Sequence, residues 1–280
     1  MTLPVPELPE VETIRAQLEA ILPGRTVAHV QIDDPRLVLP ADPQVVADAL
    51  VGRTFMSIER RGKYLMFVLD DGQTAVAHLR MTGQIHWHAV PDDEPKYLRA
   101  RVDLAGGGAL LMCDMRRFGT LALVSTDHVR DPEYWRGRVG VEPLGRAFTA
   151  QLLSDLLAGR QSPIKAALLN QALVAGIGNI YADEALFAAG VHPDRSAGSL
   201  TVGEIGKLHR AIRDRLRVAI AAGGSSIDRY RDTRGERGAM QTLLKVHLRA
   251  GRPCPRCTEP IIKMRVAQRG TYICPSCQVH

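Results

Sequence analysis

The sequence predicts an α+β protein of several domains: an N-terminal β-sandwich with flanking helices, a helical module, and a C-terminal β-hairpin held by two cysteine pairs. Three observations predict this class. Short runs of β-forming residues, separated by turn residues, fill 26–124. Apolar residues then recur at helical spacing over 148–222, and two Cys-x-x-Cys pairs follow near the end. A chain of 280 residues is long enough for more than one core.

Changes in composition set the expected domain boundaries. The β-sandwich domain is expected over 6–133, and a hinge rich in Gly and Pro over 134–147. A helical domain is expected over 148–239, and the cysteine-bearing hairpin over 240–280.

The first element is a helix that begins within the segment PELPEVE at 6–12. Pro9 suits a first helical turn, and carboxylates there complement the helix dipole. A helix start alone does not explain why Pro6 and Glu7 come first. The apolar residues that predict the helix are Val11, Ile14, Leu18, Ile21 and Leu22.

Turn signals such as Asp70-Asp71-Gly72 separate the predicted strands. These strands are Thr26–Ile32, Thr54–Arg60, Tyr64–Leu69, Thr74–Leu79, Gln84–His88, Leu98–Leu104, Ala109–Met112 and Thr120–Val124. The predicted helices that follow are Phe148–Leu157, Ser162–Asn170, Ile180–Ala189 and Val202–Ala221. Gly176-Ile177-Gly178-Asn179 lies between two of them, which is typical either of a helix-turn-helix module or of closely packed helices.

The four C-terminal cysteines have the spacing Cys-x2-Cys-x16-Cys-x2-Cys, which predicts a structural zinc site. Two such pairs on a hairpin supply four thiolates and leave no open coordination position. The predicted ligands are Cys254, Cys257, Cys274 and Cys277. The fifth cysteine, Cys113, lies in an apolar segment and is expected to be a small buried hydrophobe.

The charge is distributed unevenly along the chain. The net charge is +6, but residues 1–154 hold 17 Lys/Arg and 20 Asp/Glu (net −3), whereas 155–280 hold 19 and 10 (net +9). A basic half favours a polyanionic partner such as nucleic acid. No apolar run approaches the length of a membrane span, and no signal peptide is recognised, so we expect a cytoplasmic protein.

Several residues have an ordinary interpretation when each is taken alone. Met81 is then a core residue, and Lys63 belongs to a solvated turn. Arg116 and Phe118 could enter a base stack, or they could simply end a strand around a buried aromatic ring.

Together, however, the motifs resemble those of the bacterial formamidopyrimidine-DNA glycosylases, which are relatives of the endonuclease VIII enzymes. The resemblance covers almost the whole chain. Its residues are PELPEVE at 6–12, RRGKYL at 60–65, HLRMTG at 78–83, DMRRFG at 114–119, IKAALLNQ at 164–171, GIGNIYADEALF at 176–187, GGSS at 223–226, and CPRC and AQRGTYICPSC within 254–277.

This resemblance implies a β-sandwich, a hinge, a helix-two-turn-helix module and a zinc ribbon with one structural Zn²⁺. It implies removal of oxidised purines, such as 8-oxoguanine and formamidopyrimidines, from double-stranded DNA, followed by strand cleavage at the abasic site. A monomer associated with the bacterial nucleoid through DNA is expected.

The resemblance also implies the catalytic residues. Pro6 would be the nucleophile through its amine, and Glu7 the acid/base group beside it. Glu10 would support the site. Lys63 would act in β-elimination, and Arg269, at the tip of the ribbon, in δ-elimination.

The DNA-binding residues are implied in the same way. Met81, Arg116 and Phe118 would fill the gap left by the everted base. Residues 223–239, including Ser225, Ser226 and Tyr230, would cover that base. Further contacts, mainly with phosphates, are expected from His78, Arg99, Arg160, Lys165 and Asn179.

Met1–Val5 precede Pro6, and a prolyl nitrogen within a peptide bond has no free lone pair for attack. Because GTG encodes valine and also serves as a bacterial start codon, we hypothesise that translation begins at codon 5. If the extension is retained, a non-catalytic DNA-binding or lesion-sensing protein is the alternative. A zinc-ribbon regulator with an unrelated N-terminal domain would leave PELPEVE unexplained.

Overall fold

The computed structural model describes residues 6–90, 95–227 and 229–279. Met1–Val5, on which the start-codon hypothesis depends, lie outside the described residues. The chain divides into two compact units. The N-terminal unit comprises 6–136 and Gly223–Gly238, and the helical unit comprises Gly137–Ala222 and 239–279. Within the described ranges, no helix has the length and apolar character needed to cross a membrane.

Two antiparallel four-stranded sheets make the sandwich of the N-terminal unit. The strands are β1 (Val27–Ile32), β2 (Phe55–Arg61), β3 (Tyr64–Leu69), β4 (Gln73–His78), β5 (Gly83–His88), β6 (Leu98–Leu104), β7 (Ala109–Asp114) and β8 (Thr120–Ser125). One sheet has the order β1-β6-β7-β5 and the other β2-β3-β4-β8. Side chains from both sheets share one apolar core. The predicted sandwich is confirmed, and each predicted strand is found within two residues of its expected ends.

Helix α1 (Leu8–Glu19) packs one face into the same core. Val11, Ile14 and Leu18 are fully buried, as their spacing predicts. Removing each such side chain from water contributes roughly 1.5–3 kcal/mol, which fixes the helix against the sandwich. The start of α1 is therefore anchored by the core.

Three short helices of this unit were not predicted. They are α2 (Pro43–Leu50), α3 (Thr126–Arg130) and α4 (Pro132–Trp135). The start of α2 carries a recognisable signal, because Asp42 accepts a hydrogen bond from the Gln44 amide at 2.8 Å and Pro43 occupies the first turn. With only eight residues, α2 has too short an apolar face to stand out in the sequence.

The helical unit contains α5 (Ala150–Leu157), α6 (Ile164–Leu169), α7 (Asn179–Ala189) and α8 (Val202–Ala221) among its described residues. A capping box between Thr201 and Glu204 begins α8. Gly190 caps the end of helix α7, and its φ of 73° is the left-handed conformation that glycine adopts freely. The predicted helical module is confirmed.

The C-terminal hairpin consists of β9 (Ile262–Val266) and β10 (Arg269–Ile273), which pair antiparallel. Arg256, between the first two cysteines, attaches this hairpin to the end of α7. Its guanidinium lies 4.4 Å from the centre of the Phe187 ring and donates to the Phe187 carbonyl at 2.8 Å. The ribbon therefore packs within the helical unit.

The structure differs from the expected boundaries at Gly223–Gly238. Composition predicts that this segment belongs to the helical domain, but it packs in the N-terminal unit. Hydrogen bonds to α1 and to β5 explain the difference. The Ser225 amide donates to Glu10 at 2.7 Å, and the Trp87 amide donates to the Thr233 carbonyl at 2.7 Å. We call Gly223–Gly238 the covering loop.

Candidate active site and zinc centre

Pro6 and Glu7 lie buried at the start of α1, where Glu10 ties them to the covering loop. Glu10 Oε2 accepts from the Glu7 amide at 2.8 Å, and Glu10 Oε1 accepts from the Ser225 amide at 2.7 Å. The Tyr230 hydroxyl donates to the Glu10 carbonyl at 3.3 Å. One buried carboxylate thus connects the residue beside the expected nucleophile with the loop expected to cover the base.

Gly224 is required by this close approach. Its φ of 79° lies in the left-handed region, and a Cβ added there would stand 3.0 Å from Glu10 Cγ and Oε1 and 3.2 Å from Tyr230 Cε1. At the other end of the loop, a Cβ on Gly238 would stand 2.2 Å from the Gly224 carbonyl oxygen. The two ends of the covering loop are therefore packed with their backbones in direct contact.

Lys63 lies in the two-residue turn between β2 and β3, where Gly62 has a φ of 58°. Beside it, the His78 ring packs edge-on against Tyr64 at 4.5 Å, and its Nδ1 accepts from the Arg80 amide at 2.9 Å. Burial, with the nearby charges of Arg80 and Lys63, lowers the pKa of His78 to about 3. His78 is thus a neutral imidazole at neutral pH, with Nε2–H as its remaining donor.

Met81, Arg116 and Phe118 lie together, as the resemblance implies. Arg116 Nη1 lies 3.1 Å from the Met81 sulfur, and the Arg116 guanidinium lies 4.8 Å from the centre of the Phe118 ring. The Phe118 side chain is 50% exposed. The three side chains form one partly exposed cluster, which we call the projecting cluster.

Asp114 holds the backbone of this projecting cluster. Its buried carboxylate accepts hydrogen bonds from the amides of Phe118 at 2.9 Å and Gly119 at 2.7 Å. It also accepts from the Arg116 amide at 3.1 Å and from the Thr82 hydroxyl. Sequence reasoning missed this role because Asp114 reads simply as the polar end of a strand.

A second carboxylate, that of Asp34, forms an ion pair with Arg117, which lies between Arg116 and Phe118 of the projecting cluster. Arg117 donates to it through Nε at 2.5 Å and through Nη2 at 2.7 Å, in a bidentate pair, and adopts a φ of 60°. The hydrogen bonds from Arg117 hold the pKa of Asp34 below its usual value. Arg99 donates through Nε to the Asp114 carbonyl at 2.8 Å, so its expected phosphate contact remains a prediction.

Lys165 requires a correction, because it was expected to hold a phosphate. Its side chain is 0% exposed and lies inside the helical unit. Nζ donates to Asp183 Oδ1 at 2.6 Å, to Thr271 Oγ1 at 2.8 Å and to the Gly270 carbonyl at 3.1 Å. A side chain enclosed in this way cannot reach DNA, and its ammonium instead fixes the start of β10.

The other predicted functional residues of the helical unit differ in exposure: Asn179 and Arg160 are half-buried, and Arg269 is exposed. Asn179 donates to the Gly270 carbonyl at 3.0 Å, beside Lys165. Arg269 is exposed at the end of the hairpin, where the turn residues Ala267 and Gln268 have φ values of 47° and 64°. Arg160 is half-buried and donates through Nε to the Leu156 carbonyl at 2.6 Å. Arg269 therefore has the exposure that its expected role requires.

The four predicted zinc ligands converge at the base of the hairpin. Their sulfur atoms all lie within 4.8 Å of one another, with 3.4 Å between Cys257 and Cys274. A tetrahedral site with Zn–S bonds of about 2.3 Å has sulfur–sulfur edges of about 3.8 Å, so the donor set fits one Zn²⁺. Cys113 lies apart from this cluster, and burial raises the pKa of its thiol to about 11.

A cavity of about 270 Å³ opens in the N-terminal unit between the covering loop and β7. Thr82 and Asp114 line one side, and Arg229 and Arg231 of the covering loop line the other, together with Lys96. Three cationic side chains therefore face a concave site that sequence reasoning did not predict. In the sequence, Arg229 and Arg231 stand out only because they lie on either side of Tyr230 in the covering loop.

The fold and the site define a class of zinc-ribbon proteins in which a β-sandwich carries a buried Pro-Glu pair at the start of its first helix. Family models match the chain along most of its length: the formamidopyrimidine-DNA glycosylase N-terminal domain at 5–121, the H2TH domain of the same proteins at 139–231, and the zinc finger found in FPG and IleRS at 251–279. The chain belongs to the formamidopyrimidine-DNA glycosylase family.

Relatives and solved structures agree with this assignment. The chain is 48% identical to the formamidopyrimidine-DNA glycosylase of Symbiobacterium thermophilum over 98% of this chain and 89% of that protein. It is 47% identical to that of Desulfitobacterium hafniense over 98% and 100%. Lactococcus lactis Fpg in complex with DNA containing an abasic site is 39% identical, with a TM-score of 0.92 and coverage of 98% and 100%.

Proposed function

We propose that this chain is a bifunctional DNA glycosylase and abasic-site lyase of base excision repair, acting on oxidised purines in double-stranded DNA. The observation that carries the proposal is the buried Pro6-Glu7 pair, backed by Glu10, in a chain 47–48% identical to formamidopyrimidine-DNA glycosylases over nearly its whole length. Solved relatives contain Fapy-dG and abasic-site DNA. Association with the bacterial nucleoid would follow from DNA binding.

The chemistry begins at the Pro6 nitrogen. With the damaged nucleotide out of the stack, the secondary amine attacks sugar C1′ and the base departs with the electron pair of the glycosidic bond. Glu7, next in the chain, serves as the acid/base group for the ring-opening proton transfer. An α-amino group has an ordinary pKa of about 7.7–8.0, against about 10.4 for lysine, so more of it is free base near neutrality.

The resulting iminium has no N–H proton to lose, so it remains cationic and draws electrons from C1′. This acidifies C2′, and loss of a C2′ proton expels the 3′-phosphate by β-elimination. Lys63, in the turn beside His78, is proposed to act in this step. Arg269 is proposed to act in the second elimination, which expels the 5′-phosphate, and its exposure at the hairpin end supports that role.

The projecting cluster of Met81, Arg116 and Phe118 supports base eversion. Filling the vacated space offsets the unstacking cost of a few kcal/mol that eversion carries. The guanidinium groups of Arg229 and Arg231 in the nearby cavity suit the carbonyl oxygens of an oxidised purine.

The ribbon zinc is structural. Its four cysteines leave no position for substrate or water, so it supplies folding energy and no chemistry. The half of the chain that carries the ribbon also carries most of the positive charge, which suits a phosphate backbone.

Borohydride trapping tests the proposal. A duplex oligonucleotide with 8-oxoguanine opposite cytosine is incubated with a chain that begins at Pro6, and sodium borohydride is added to reduce the iminium. A covalent protein–DNA adduct is expected. A chain that retains Met1–Val5 is the matched control, because its Pro6 nitrogen is acylated, and it should give no adduct.

Two outcomes would contradict the proposal. Absence of an adduct with the Pro6-initiated chain, while abasic DNA is still bound, would favour the lesion-sensing alternative. An equal adduct from the acylated chain would show that a group other than the Pro6 nitrogen is the nucleophile.

Intact mass of the natively expressed protein tests the start-codon hypothesis separately, since a mature chain that begins at Thr2 contradicts it.

A further inference from the structure

Beyond Glu10, the covering loop has a second attachment to α1, made by Gln17. Gln17 Nε2 donates to Asp232 Oδ2 at 2.7 Å. Gln17 Oε1 accepts from the Thr233 amide at 3.0 Å and from the Thr233 hydroxyl at 2.8 Å. A single amide side chain therefore contacts two consecutive loop residues through both of its ends.

The loop residues that Gln17 contacts form a hydrogen-bonded corner. Thr233 is 0% exposed, and its carbonyl accepts from the Trp87 amide of β5 at 2.7 Å. Asp232 Oδ1 accepts from the amides of Arg234 at 2.9 Å and Glu236 at 2.8 Å, which closes a turn. The hydrogen bonds that close this turn do not involve Gln17, and Gln17 attaches the turn to α1.

We propose that Gln17 is a positioning residue for base excision, which fixes the covering loop against α1, the helix that directly follows the proposed nucleophile. Tyr230 and the cavity-lining Arg229 and Arg231 lie between the two attachments, Ser225 at one end and Asp232 at the other. The inference rests on the proposed function. It predicts that Gln17 matters for reactions that begin with a damaged base in place, and not for cleavage at a site whose base is already gone.

The hydrogen bond between Gln17 and Asp232 can be tested by interchanging the donor and acceptor groups of the two side chains. In Gln17→Glu, a carboxylate oxygen replaces Nε2 and faces Asp232 Oδ2, so two acceptors oppose each other, while the bonds from Thr233 remain possible. In the double variant Gln17→Glu with Asp232→Asn, the new amide of residue 232 donates to the new carboxylate. Oδ1 of residue 232 still accepts from Arg234 and Glu236, so the turn is kept.

The assay compares two substrates with chains that begin at Pro6. One duplex contains 8-oxoguanine, and the other contains a preformed abasic site. Gln17→Glu is expected to lower kcat/KM for 8-oxoguanine excision about tenfold, the effect of losing one hydrogen bond to a charged group, and to leave abasic-site cleavage within about twofold of wild type. The double variant is expected to recover most of the loss.

Each outcome is decisive. Equal losses on both substrates, or no loss on either, would overturn the inference, as would a double variant no better than the single one. Thermal unfolding of all three chains separates a local effect from general destabilisation. A wild-type chain inactive on 8-oxoguanine would instead refute the proposed function and leave the geometry of Gln17 untouched.

Discussion

Lys165 and Asp183 form an ion pair in which neither side chain is exposed, with 2.6 Å between Nζ and Oδ1. Asp183 Oδ2 also lies 2.8 Å from His247 Nδ1, so the pair extends into a buried polar network. Both charges have lost their hydration, and the opposite charge together with the surrounding hydrogen bonds compensates for that loss. The network joins α6, α7 and the start of β10.

Removal of the Lys165 ammonium is expected to destabilise the protein. Lys165→Met leaves the Asp183 carboxylate buried beside an apolar group, and the free energy of unfolding should fall by about 3–5 kcal/mol. The measurement is denaturant unfolding at pH 7. Lys207→Met on α8 is the comparison and should change little. Unchanged stability together with weaker DNA binding would restore the phosphate contact first expected for Lys165.

Loss of the Asp114 carboxylate should impair excision without unfolding the sandwich. Phe118 and Gly119 donate to one carboxylate oxygen of Asp114, and Arg116 and Thr82 donate to the other. Asp114→Asn keeps only one acceptor oxygen, so one of these two pairs of hydrogen bonds is lost and the backbone of the projecting cluster is no longer fixed. Excision of 8-oxoguanine under single-turnover conditions should slow about 10–100-fold. Asp103→Asn, on the surface of β6, is the matched control and should behave as wild type. Equal rates in the two variants would show that the cluster needs no such support.

Zinc removal should disrupt the ribbon and DNA binding together. Cys254→Ser should lose the single zinc ion per chain and bind abasic-site DNA at least about tenfold more weakly, because the hairpin is too small to fold without its metal. Cys113→Ala removes a thiol outside the cluster and should keep its zinc. Metal content by a colorimetric chelator and affinity by fluorescence anisotropy provide the readouts. Full DNA binding by a zinc-free chain would contradict this prediction.

The ion pair at the start of α8 predicts a specific acid dependence. Hydrogen bonds from Arg195 lower the pKa of Glu204 to about 2, from an ordinary value of 4.5. A carboxyl group with a lowered folded pKa contributes stability that is complete above about 4.5 and is lost as the pH falls towards about 2.

Glu204→Gln removes that contribution while keeping an acceptor for the helix cap. Wild type should therefore be the more stable protein at pH 7, and the two unfolding free energies should converge as the pH falls to about 2. Urea unfolding across this range measures the difference. Glu133→Gln, whose side chain is 57% exposed, is the control and should leave the free energy of unfolding at pH 7 close to that of wild type. A pH-independent difference would mean that the charge of Glu204 contributes nothing.

The fold was largely predictable because its signals are local. Alternating burial along β6 and the helical spacing of Val11, Ile14 and Leu18 are visible over a few residues, and so are the cysteine spacings. Helix α2 escaped because eight residues give only two turns, and its cap Asp42 resembles an ordinary turn residue.

Residues of the active site were predictable only where the family resemblance named them. The remaining features of the site depend on contacts between residues that are distant in sequence. The burial of Lys165 depends on Gly270, 105 positions away. The attachment of Ser225 to Glu10 spans 215 positions. Nothing near Asp114 in the sequence shows that its carboxylate organises the next five residues. Such partners become evident only when the chain has folded.

The membership of the covering loop in the N-terminal unit affects how this protein can be divided. The sandwich is encoded in two separated pieces of the gene, since Gly223–Gly238 lies inside the sequence of the helical unit. A fragment that stops at the hinge would lack the partner of Glu10, and a chimera joined there would combine the α1 of one protein with the loop of another. Exchange between relatives must therefore move both pieces together, because α1 and the loop form one structural module despite their distance along the chain.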